Sequence, residues 1–480
     1  MNTIPSLSSS REQPRDLLSA KDTFLRLGDG VPLLRNDGSS AMTTRGGRVV
    51  RFGEVSLPAS KSESNRALMI AAYGGFEPDF QNLSESNDTK VLMNVMGGLP
   101  FIDSRRRTIP NWNDIKGKPQ TIDIADCGTA ARFMTTYLAC HEGDRILTGT
   151  ERMKQRPMQP LVDELRQLGA DIQYAEKEGC LPLIIHGKPL DGGKATIDTT
   201  QSSQFASSLL LAAPMWPKGL ELGLQGELHS LPYLDMTIVM MCHFSAQVER
   251  RGRKVVVKPK PYEKQQFAIE ADWTAASYWY EVAALAEDCE IRLRGLKGHA
   301  VHRYTPSAAN VMPTDEGGSA SMGCFGRYDM DGHYCLQGDA IIAEWMTQLG
   351  VGTFIENNAV VLRKIPFEKR PLHFDFSQNP DLYPTIAATC AGLGVEASFS
   401  GLDNLALKES DRVEAMQTEL TKLNDNSLRF CAHDDHRIVM ALAPLALRYG
   451  PVSFDHPEVV AKSYPGFWEN MGKITPYFKV

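Results

Sequence analysis

No apolar run in this chain approaches the roughly 20 residues that a bilayer-spanning helix needs. Patterned cysteine is also missing. The nine cysteines are scattered, odd in number and without a Cys-x-x-Cys pair, so neither a disulfide framework nor a zinc site is suggested. A reducing cytoplasm fits that usage. An excess of positive charge is lacking as well: the formal net charge of −7 argues against non-specific nucleic-acid binding. Any anion site must then be a local concentration of Lys and Arg in an acidic protein. The first 45 residues lack the apolar core of a secretory signal, and Glu12, Asp16, Asp22 and Asp29 are out of place in a transit peptide. With little periodicity and a turn signal at Asn36-Asp37-Gly38-Ser39, they read as an extension or partly ordered arm. What the chain does have is length. Its 480 residues, 42% hydrophobic and 23% charged, predict a globular protein of two large domains.

The most informative stretch is Leu57-Pro58-Ala59-Ser60-Lys61-Ser62-Glu63-Ser64-Asn65-Arg66-Ala67-Leu68. A strand-like entry through Val55 and Leu57 meets a proline and a small-residue turn, and a helical run follows from Ala67 to Ala72. Helix starts attract anions through their free N–H groups, and cations there strengthen the field although the helix itself prefers acids. An anion is therefore expected at this point. Taken alone, a solvated basic turn has the same appearance.

The same design recurs: polar or charged group, small residues, apolar-rich helix. Copies begin at Cys127-Gly128-Thr129-Ala130-Ala131-Arg132, at Ser202-Ser203-Gln204-Phe205, at Asp272-Trp273-Thr274, at Asn379-Pro380-Asp381 and at Asp434-Asp435-His436-Arg437. Strand-like runs such as Val255-Val256-Val257 and Ala359-Val360-Val361-Leu362 lie between them. The spacing is too long for a solenoid and suits repeated α/β units whose helix starts converge on one anion-attracting cleft. Amphipathic helices are predicted over 160–168, stopping at Gly169, and over 340–349, stopping at Gly350. The polar stretch Pro261-Tyr262-Glu263-Lys264 is the candidate domain crossing, and residues 296–335 read as a long surface excursion.

Further charge clusters are Glu151-Arg152-Met153-Lys154-Gln155-Arg156-Pro157, Lys408-Glu409-Ser410-Asp411-Arg412, Asp435-His436-Arg437 and Lys462-Ser463-Tyr464-Pro465. Singly, each also fits a solvated surface cluster. Jointly and in this order, from about residue 50 to the C-terminus, they closely resemble the 5-enolpyruvylshikimate-3-phosphate synthase family. The shared signatures are Leu-Pro-x-Ser-Lys-Ser-x-Ser-Asn-Arg-Ala-Leu, Gly-Thr-Ala, Arg-Met-Lys-x-Arg-Pro, Ser-Ser-Gln-Phe, Lys-Glu-x-Asp-Arg and Asp-His-Arg. The resemblance implies an α/β (α+β) fold of two domains, each of three βαβαββ-like units with buried helices converging on an interdomain cleft. It places residues 46–60 and 270–480 in one domain and 61–269 in the other.

It also implies a reaction without cofactor or metal. The 5-hydroxyl of shikimate 3-phosphate attacks C2 of phosphoenolpyruvate while C3 is protonated, and a tetrahedral intermediate then loses phosphate. By similarity Ser202, Ser203 and Ser230 hold the shikimate phosphate, Gln204 and Tyr233 line its ring, and Asn404 and Lys408 position the sugar-acid. Arg66 meets the shikimate carboxylate, with Ser62 beside it. Lys61 stands between the substrates. Gly128, Thr129, Gln204, Arg156, Arg412, Arg437 and Lys462 bind phosphoenolpyruvate, arginine suiting the task by its bidentate fork. Asp381 is the implied general base, and Glu409 lies near C3 with Lys61 or Lys462 as its proton-transfer partner. The small-molecule substrates are the expected partners of a cytoplasmic monomer, with no nucleic acid and no membrane involved.

Departures from the family pattern are Asp126 for the usual Asn, Cys127 for a small apolar residue, Phe133 where proline is common, and Leu405-Ala406-Leu407 before Lys408. A sister transferase acting on UDP-N-acetylglucosamine usually carries cysteine where this chain has Glu151. A non-catalytic anion-binding relative is the other alternative, against which the set Lys61, Asp381, Glu409, Arg412, Arg437 and Lys462 argues.

Overall fold

Three four-stranded sheets in this chain are wired identically. In a computed structural model, which describes residues 25–26, 53–97, 119–297, 335–424 and 428–474, Gln120–Asp123 pairs in parallel with Gly143–Thr148. Leu183–Gly187 adds antiparallel to the latter, and Asp171–Tyr174 closes the edge. The second sheet repeats this order with Gly193–Asp198, Leu220–Gln225, Lys254–Val257 and Val248–Arg251. The third does so with Gly53–Ser56, Glu290–Arg294, Ala359–Lys364 and Val351–Glu356. Each parallel pair needs a crossover, which a helix supplies in the first two sheets and the other lobe followed by the helix Trp273–Leu285 supplies in the third, whereas the antiparallel edge pair needs only a short connection. The result is a βαβαββ unit. Three shorter pairings complete the description: Phe267–Ala268 with Phe80–Gln81, Leu372–Asp375 with Ala397–Ser400, and Leu428–Phe430 with Val452–Phe454. Leu25–Arg26 adds antiparallel to Ala397–Ser400, and the rest of the 1–45 arm lies outside the described residues.

The crossover helices differ in character. The helix Gln159–Gln167 buries Leu161, Val162 and Leu165 and turns its other face to solvent. Trp273–Leu285 is buried at every position, as a helix enclosed by neighbours must be, and so lacks a polar stripe. Its interior still holds two fully buried polar residues, Ser277 and Glu281.

Apolar side chains form two separate cores. One runs from Ala59 to Ile269. The other takes Val55 and Leu57 and then most of the buried apolar residues described between Ala271 and Met471. The chain thus passes between cores twice, and the two passages lie side by side. Ala59 and Ala271 form an antiparallel bridge. Ser60 N–H donates to Glu270 O at 2.8 Å and Asp272 N–H to Pro58 O at 2.8 Å.

This corrects the crossing expected at Pro261–Lys264. Tyr262 packs into the first core and donates its hydroxyl to Leu211 O at 2.9 Å, so that polar stretch stays within one lobe. The first helix also starts earlier than Ala67. It spans Lys61–Gly74 with Ser60 as N-cap, its oxygen accepting from Glu63 N–H, so the supposed turn is the first helical turn. The helix expected over 340–349 is a 3-10 turn at Gly338–Ile341 continued by Ile342–Thr347, and Gly350 ends it at φ +86°. The excursion at 296–335 falls almost wholly outside the described residues.

Candidate active site

Helix starts from both lobes open onto one cleft. From the 59–269 lobe come Lys61, Ser62 and Arg66, the Gly128–Thr129 start of the helix Gly128–Cys140, and Arg156. Ser202, Ser203, Gln204, Ser230 and Tyr233 complete that wall. The facing wall is Asp381, Asn404, Lys408, Glu409, Arg412 and Arg437. Every candidate residue except Lys462 therefore lines the cleft, and three further residues line it too: Asp88, Gln201 and His436. Six of the lining side chains are cationic and three are carboxylates.

Local structure fixes most of these groups before any ligand is present. Ser202 caps the helix Ser203–Ala212, its oxygen accepting from Gln204 N–H at 3.2 Å, which leaves its own O–H free to donate into the cleft. Gln204 Nε2 donates to Thr129 Oγ1 at 3.2 Å. Ser230 sits at φ 57°, a conformation unusual for serine, with its N–H donating to Ser377 O across the lobes at 2.9 Å. Gly128 leaves room for two arginine ends: a β-carbon there would lie 2.7 Å from Arg156 Nη1 and 2.8 Å from Arg132 Nη1 and would push them aside. Arg66 is more committed than a free ligand would be. Its Nε donates to Thr237 Oγ1 at 2.6 Å and its terminal nitrogens to Ser62 O and Tyr233 O, while Phe133 lies under the guanidinium at 5.7 Å. Burial lowers its pKa to about 10.

On the facing wall Arg412 joins three carboxylates. It donates to Asp381 at 2.8 Å, Glu409 at 2.8 Å and Asp435 at 2.7 Å. Arg437 donates to the other Asp381 oxygen, Oδ2, at 2.8 Å, and Lys408 Nζ stands 3.5 Å from Oδ1. Burial works to raise the Asp381 pKa, but Arg437, Lys408 and Arg412 outweigh it and hold the carboxyl well below the aspartate range. Glu409 follows the same logic, with Arg412, Arg156 and Lys462 overcoming burial. Both groups are thus ionised at neutral pH. The adjacent His436 is pushed well below the ordinary histidine range by burial and by Lys61, so its ring is neutral.

Lys462 stands just behind the cleft wall. Its Nζ contacts Asp126 Oδ2 at 2.6 Å, Asp88 Oδ1 at 3.2 Å and Glu409 at 4.0 Å. Asp88 Oδ2 in turn accepts from Lys61 at 2.9 Å. The sequence departure at Asp126 therefore has a partner, and Asp88, not singled out from the sequence, spaces two lysines from opposite lobes. A signal for it existed. Ser84-x-Ser86-Asn87-Asp88 repeats Ser62-x-Ser64-Asn65-Arg66 one helix later, with an acid in place of the arginine. Cys127 caps the Gly128 helix through its sulfur and is fully buried, which pushes the thiol up to about 12 and leaves it a structural group.

Among the described residues one group has the makings of a metal site: Glu227, His229 and Asp403, whose ligand atoms lie within 4.8 Å of one another. None of the three lines the cleft, and His229 Nε2 already faces a Glu227 carboxylate oxygen at 3.2 Å. The same residues show no helix long and apolar enough to cross a membrane.

Comparison with known proteins narrows the chemistry. The family model described as EPSP synthase (3-phosphoshikimate 1-carboxyvinyltransferase) matches residues 47–310 and 332–471. A protein of Bacteroides fragilis (strain YCH46) named 3-phosphoshikimate 1-carboxyvinyltransferase is 37% identical over 440 residues, covering 87% of this chain and 94% of that one. One of the same name from Sulfurovum sp. (strain NBC37-1) is 32% identical over 452 residues, covering 88% and 97%. Among solved structures, EPSP synthase from Acinetobacter baumannii superposes with a TM-score of 0.63 at 20% identity, covering 88% of this chain and 96% of that one. The enolpyruvyl transferase NikO from Streptomyces tendae does so at 0.56 and 14%, covering 89% and 95%. At those identities the superpositions speak to fold alone.

Proposed function

The chain belongs to the EPSP synthase (3-phosphoshikimate 1-carboxyvinyltransferase) family, and we infer that its cleft transfers the enolpyruvyl group of phosphoenolpyruvate to the 5-hydroxyl of shikimate 3-phosphate, releasing phosphate. One observation carries this reading to individual residues: six cationic side chains from two lobes surround three carboxylates in a single cleft. Two substrates bearing two phosphates and two carboxylates need that much positive charge, and addition–elimination needs carboxylates to move protons within it.

On this reading Ser202, Ser203 and Ser230 donate hydroxyls to the shikimate phosphate. Arg66 and Ser62 face its carboxylate, and Gln204, Tyr233, Asn404 and Lys408 hold its ring. Arg156, Arg412, Arg437 and Lys462 take the anionic groups of phosphoenolpyruvate beside Gly128 and Thr129. Arg412 and Arg437 currently spend their donors on Asp381. When phosphoenolpyruvate draws those donors to itself, Asp381 loses the cations that depress its pKa and becomes a better base for the 5-hydroxyl. Asp381 already accepts from Tyr233 Oη at 3.5 Å, on the wall assigned to shikimate. Glu409 and Lys462, 4.0 Å apart, form the proton-transfer pair near C3, with Lys61 between the substrates to stabilise departing phosphate. The chemistry needs no metal or nucleotide, and closure of the lobes excludes water.

The two cores are read as two domains, 46–60 with 270–480 and 61–269, that close about the paired crossings at 57–59 and 269–271. A cytoplasmic monomer fits, since one chain supplies every group the reaction uses. Phosphate release from phosphoenolpyruvate, measured with and without shikimate 3-phosphate, tests the reading. Release is expected only with that acceptor. Release that instead needs UDP-N-acetylglucosamine would assign the sister reaction, and no release with either acceptor would leave an anion-binding protein.

A further inference from the structure

Arg152 lies four residues before Arg156, and the chemistry above gives it no task. It precedes the 3-10 turn Met153–Gln155 on the 59–269 lobe and is exposed. Its guanidinium nevertheless reaches the other lobe. Nε donates to Glu409 O at 3.0 Å, and Nη2 donates to Ala406 O at 3.2 Å and Lys408 O at 2.8 Å. These carbonyls end the 3-10 turn Leu405–Leu407 and continue into the link that leads to the helix Arg412–Thr421. The last carbonyls of a helical turn lack intrahelical donors and carry partial negative charge, which a cation satisfies.

The gripped segment carries Lys408 and Glu409, both on the cleft wall. Other contacts between the lobes here are of a different kind. Lys462 with Asp126 and Asp88, and Arg156 with Glu409 at 3.9 Å, are ion pairs that incoming phosphate or carboxylate competes for. Arg152 does not line the cleft, so an anionic substrate bound there is not placed to compete for its three bonds to backbone oxygens. They can therefore form and persist while the cations around them change partners.

We propose that Arg152 is an interlobe latch, a positioning residue that fixes the Lys408–Glu409 segment when the lobes are closed and releases it when they part. It acts through Glu409, whose carboxylate must be placed against C3 of the enol for proton transfer. The proposal rests on the enolpyruvyl-transfer reading of the cleft. Because the side chain is exposed and belongs to neither core, its removal leaves both lobes intact.

The test compares the full-length enzyme with Arg152→Ala and Arg152→Lys, measuring kcat, KM, shikimate 3-phosphate affinity and melting temperature. Misplacement of a reacting group by about an ångström costs on the order of a hundredfold, and that loss of kcat is expected for Arg152→Ala. Shikimate 3-phosphate affinity should fall by no more than about fivefold, since exposed hydrogen bonds contribute little net, and the melting temperature should stay near the wild-type value. Lysine, a single point donor, should restore only part of kcat. A kcat for Arg152→Ala within about twofold of wild type overturns the latch. So does full recovery by lysine, or a loss of affinity and melting temperature that matches the loss of kcat. Failure of the wild-type enzyme to turn over would instead overturn the functional reading, so the two ideas fail separately.

Discussion

Asp381 and Glu409 in the cleft, and Glu63 and Glu270 at the chain crossing, are two pairs of carboxylates shielded from water and held in opposite states. Around the first pair stand Arg412, Arg437, Lys408 and Arg156, and both acids are pulled down. Around the second stand mostly neutral groups, and the one cation that bears on both acids, Lys297, does not offset burial. Glu63 accepts from Gln337 Nε2 at 2.9 Å and Glu270 N–H at 3.0 Å, and Glu270 accepts from Trp273 Nε1 at 2.9 Å and Lys297 N–H at 2.8 Å. Burial, with Glu270 beside it, pushes Glu63 up, and burial pushes Glu270 up as well. Shielding is common to both pairs, so it is the count of nearby cations that decides the charge. The cleft lowers the proton affinity of its carboxylates, whereas the crossing raises that of carboxyls that serve as hydrogen-bonded joints.

The comparison breaks most visibly at Asp381. If its carboxylate is the group that Arg412 and Arg437 hold ready, Asp381→Ala should lose about a thousandfold in turnover, within the range of general acid–base catalysis. Shikimate 3-phosphate binding should remain measurable, because the serines and Arg66 proposed to hold it are untouched. Steady-state rates and a direct binding titration separate the two effects. Near-normal turnover would mean that the cations depress a spectator.

A gentler perturbation moves a cation and leaves the acids in place. A β-carbon at residue 128 would press on Arg156 Nη1 and Arg132 Nη1, the ends of two flexible side chains, so Gly128→Ala should fold normally with Arg156 displaced. Arg156 is one of the cations holding Glu409 down. The KM for phosphoenolpyruvate should rise about tenfold while shikimate 3-phosphate affinity holds, the size expected for one weakened charge-assisted contact. Unchanged KM would show that Arg156 touches neither substrate.

How much of this was legible without coordinates follows the same division. Cations at helix starts announce themselves in sequence, because the helix alone does not favour them, and Lys61, Arg156, Arg412 and Arg437 stood out for that reason. Repeated α/β units were legible through the recurring helix starts, whereas the βαβαββ wiring was implied only by the family resemblance. Asp88 escaped although its local pattern copies the first motif, since an acid at a helix start looks ordinary until two lysines from different lobes arrive on it. The crossing was misplaced at 261–264 because proline and charge suggested a linker, whereas Tyr262 anchors that stretch in a core. The Glu63–Glu270 pair was beyond reach. Two glutamates 207 positions apart meet only because the chain passes between the cores twice at one place.

The smallest effect, and the sharpest for the comparison, concerns that crossing. A carboxyl whose folded pKa is raised binds its proton more tightly folded than unfolded. Its contribution to stability therefore declines as pH rises from the ordinary glutamate value of 4.5 toward neutrality. Depressed acids act in the other sense: the stability that Asp381 and Glu409 confer is present above their ordinary values and lost as pH falls through the folded ones. Glu270→Gln removes one ionisable group at the crossing and keeps an oxygen to accept from Trp273 and Lys297. Relative to wild type it should gain on the order of 1 kcal/mol in unfolding free energy between pH 5 and pH 8, one pKa unit being worth about that much. Denaturant melts at the two pH values measure the gain. The acid-side loss belongs to the cleft and should survive the substitution unchanged. If Glu270→Gln instead steepened the decline above neutrality, the crossing carboxyls would be charged in the folded protein, and the contrast between the two pairs would collapse.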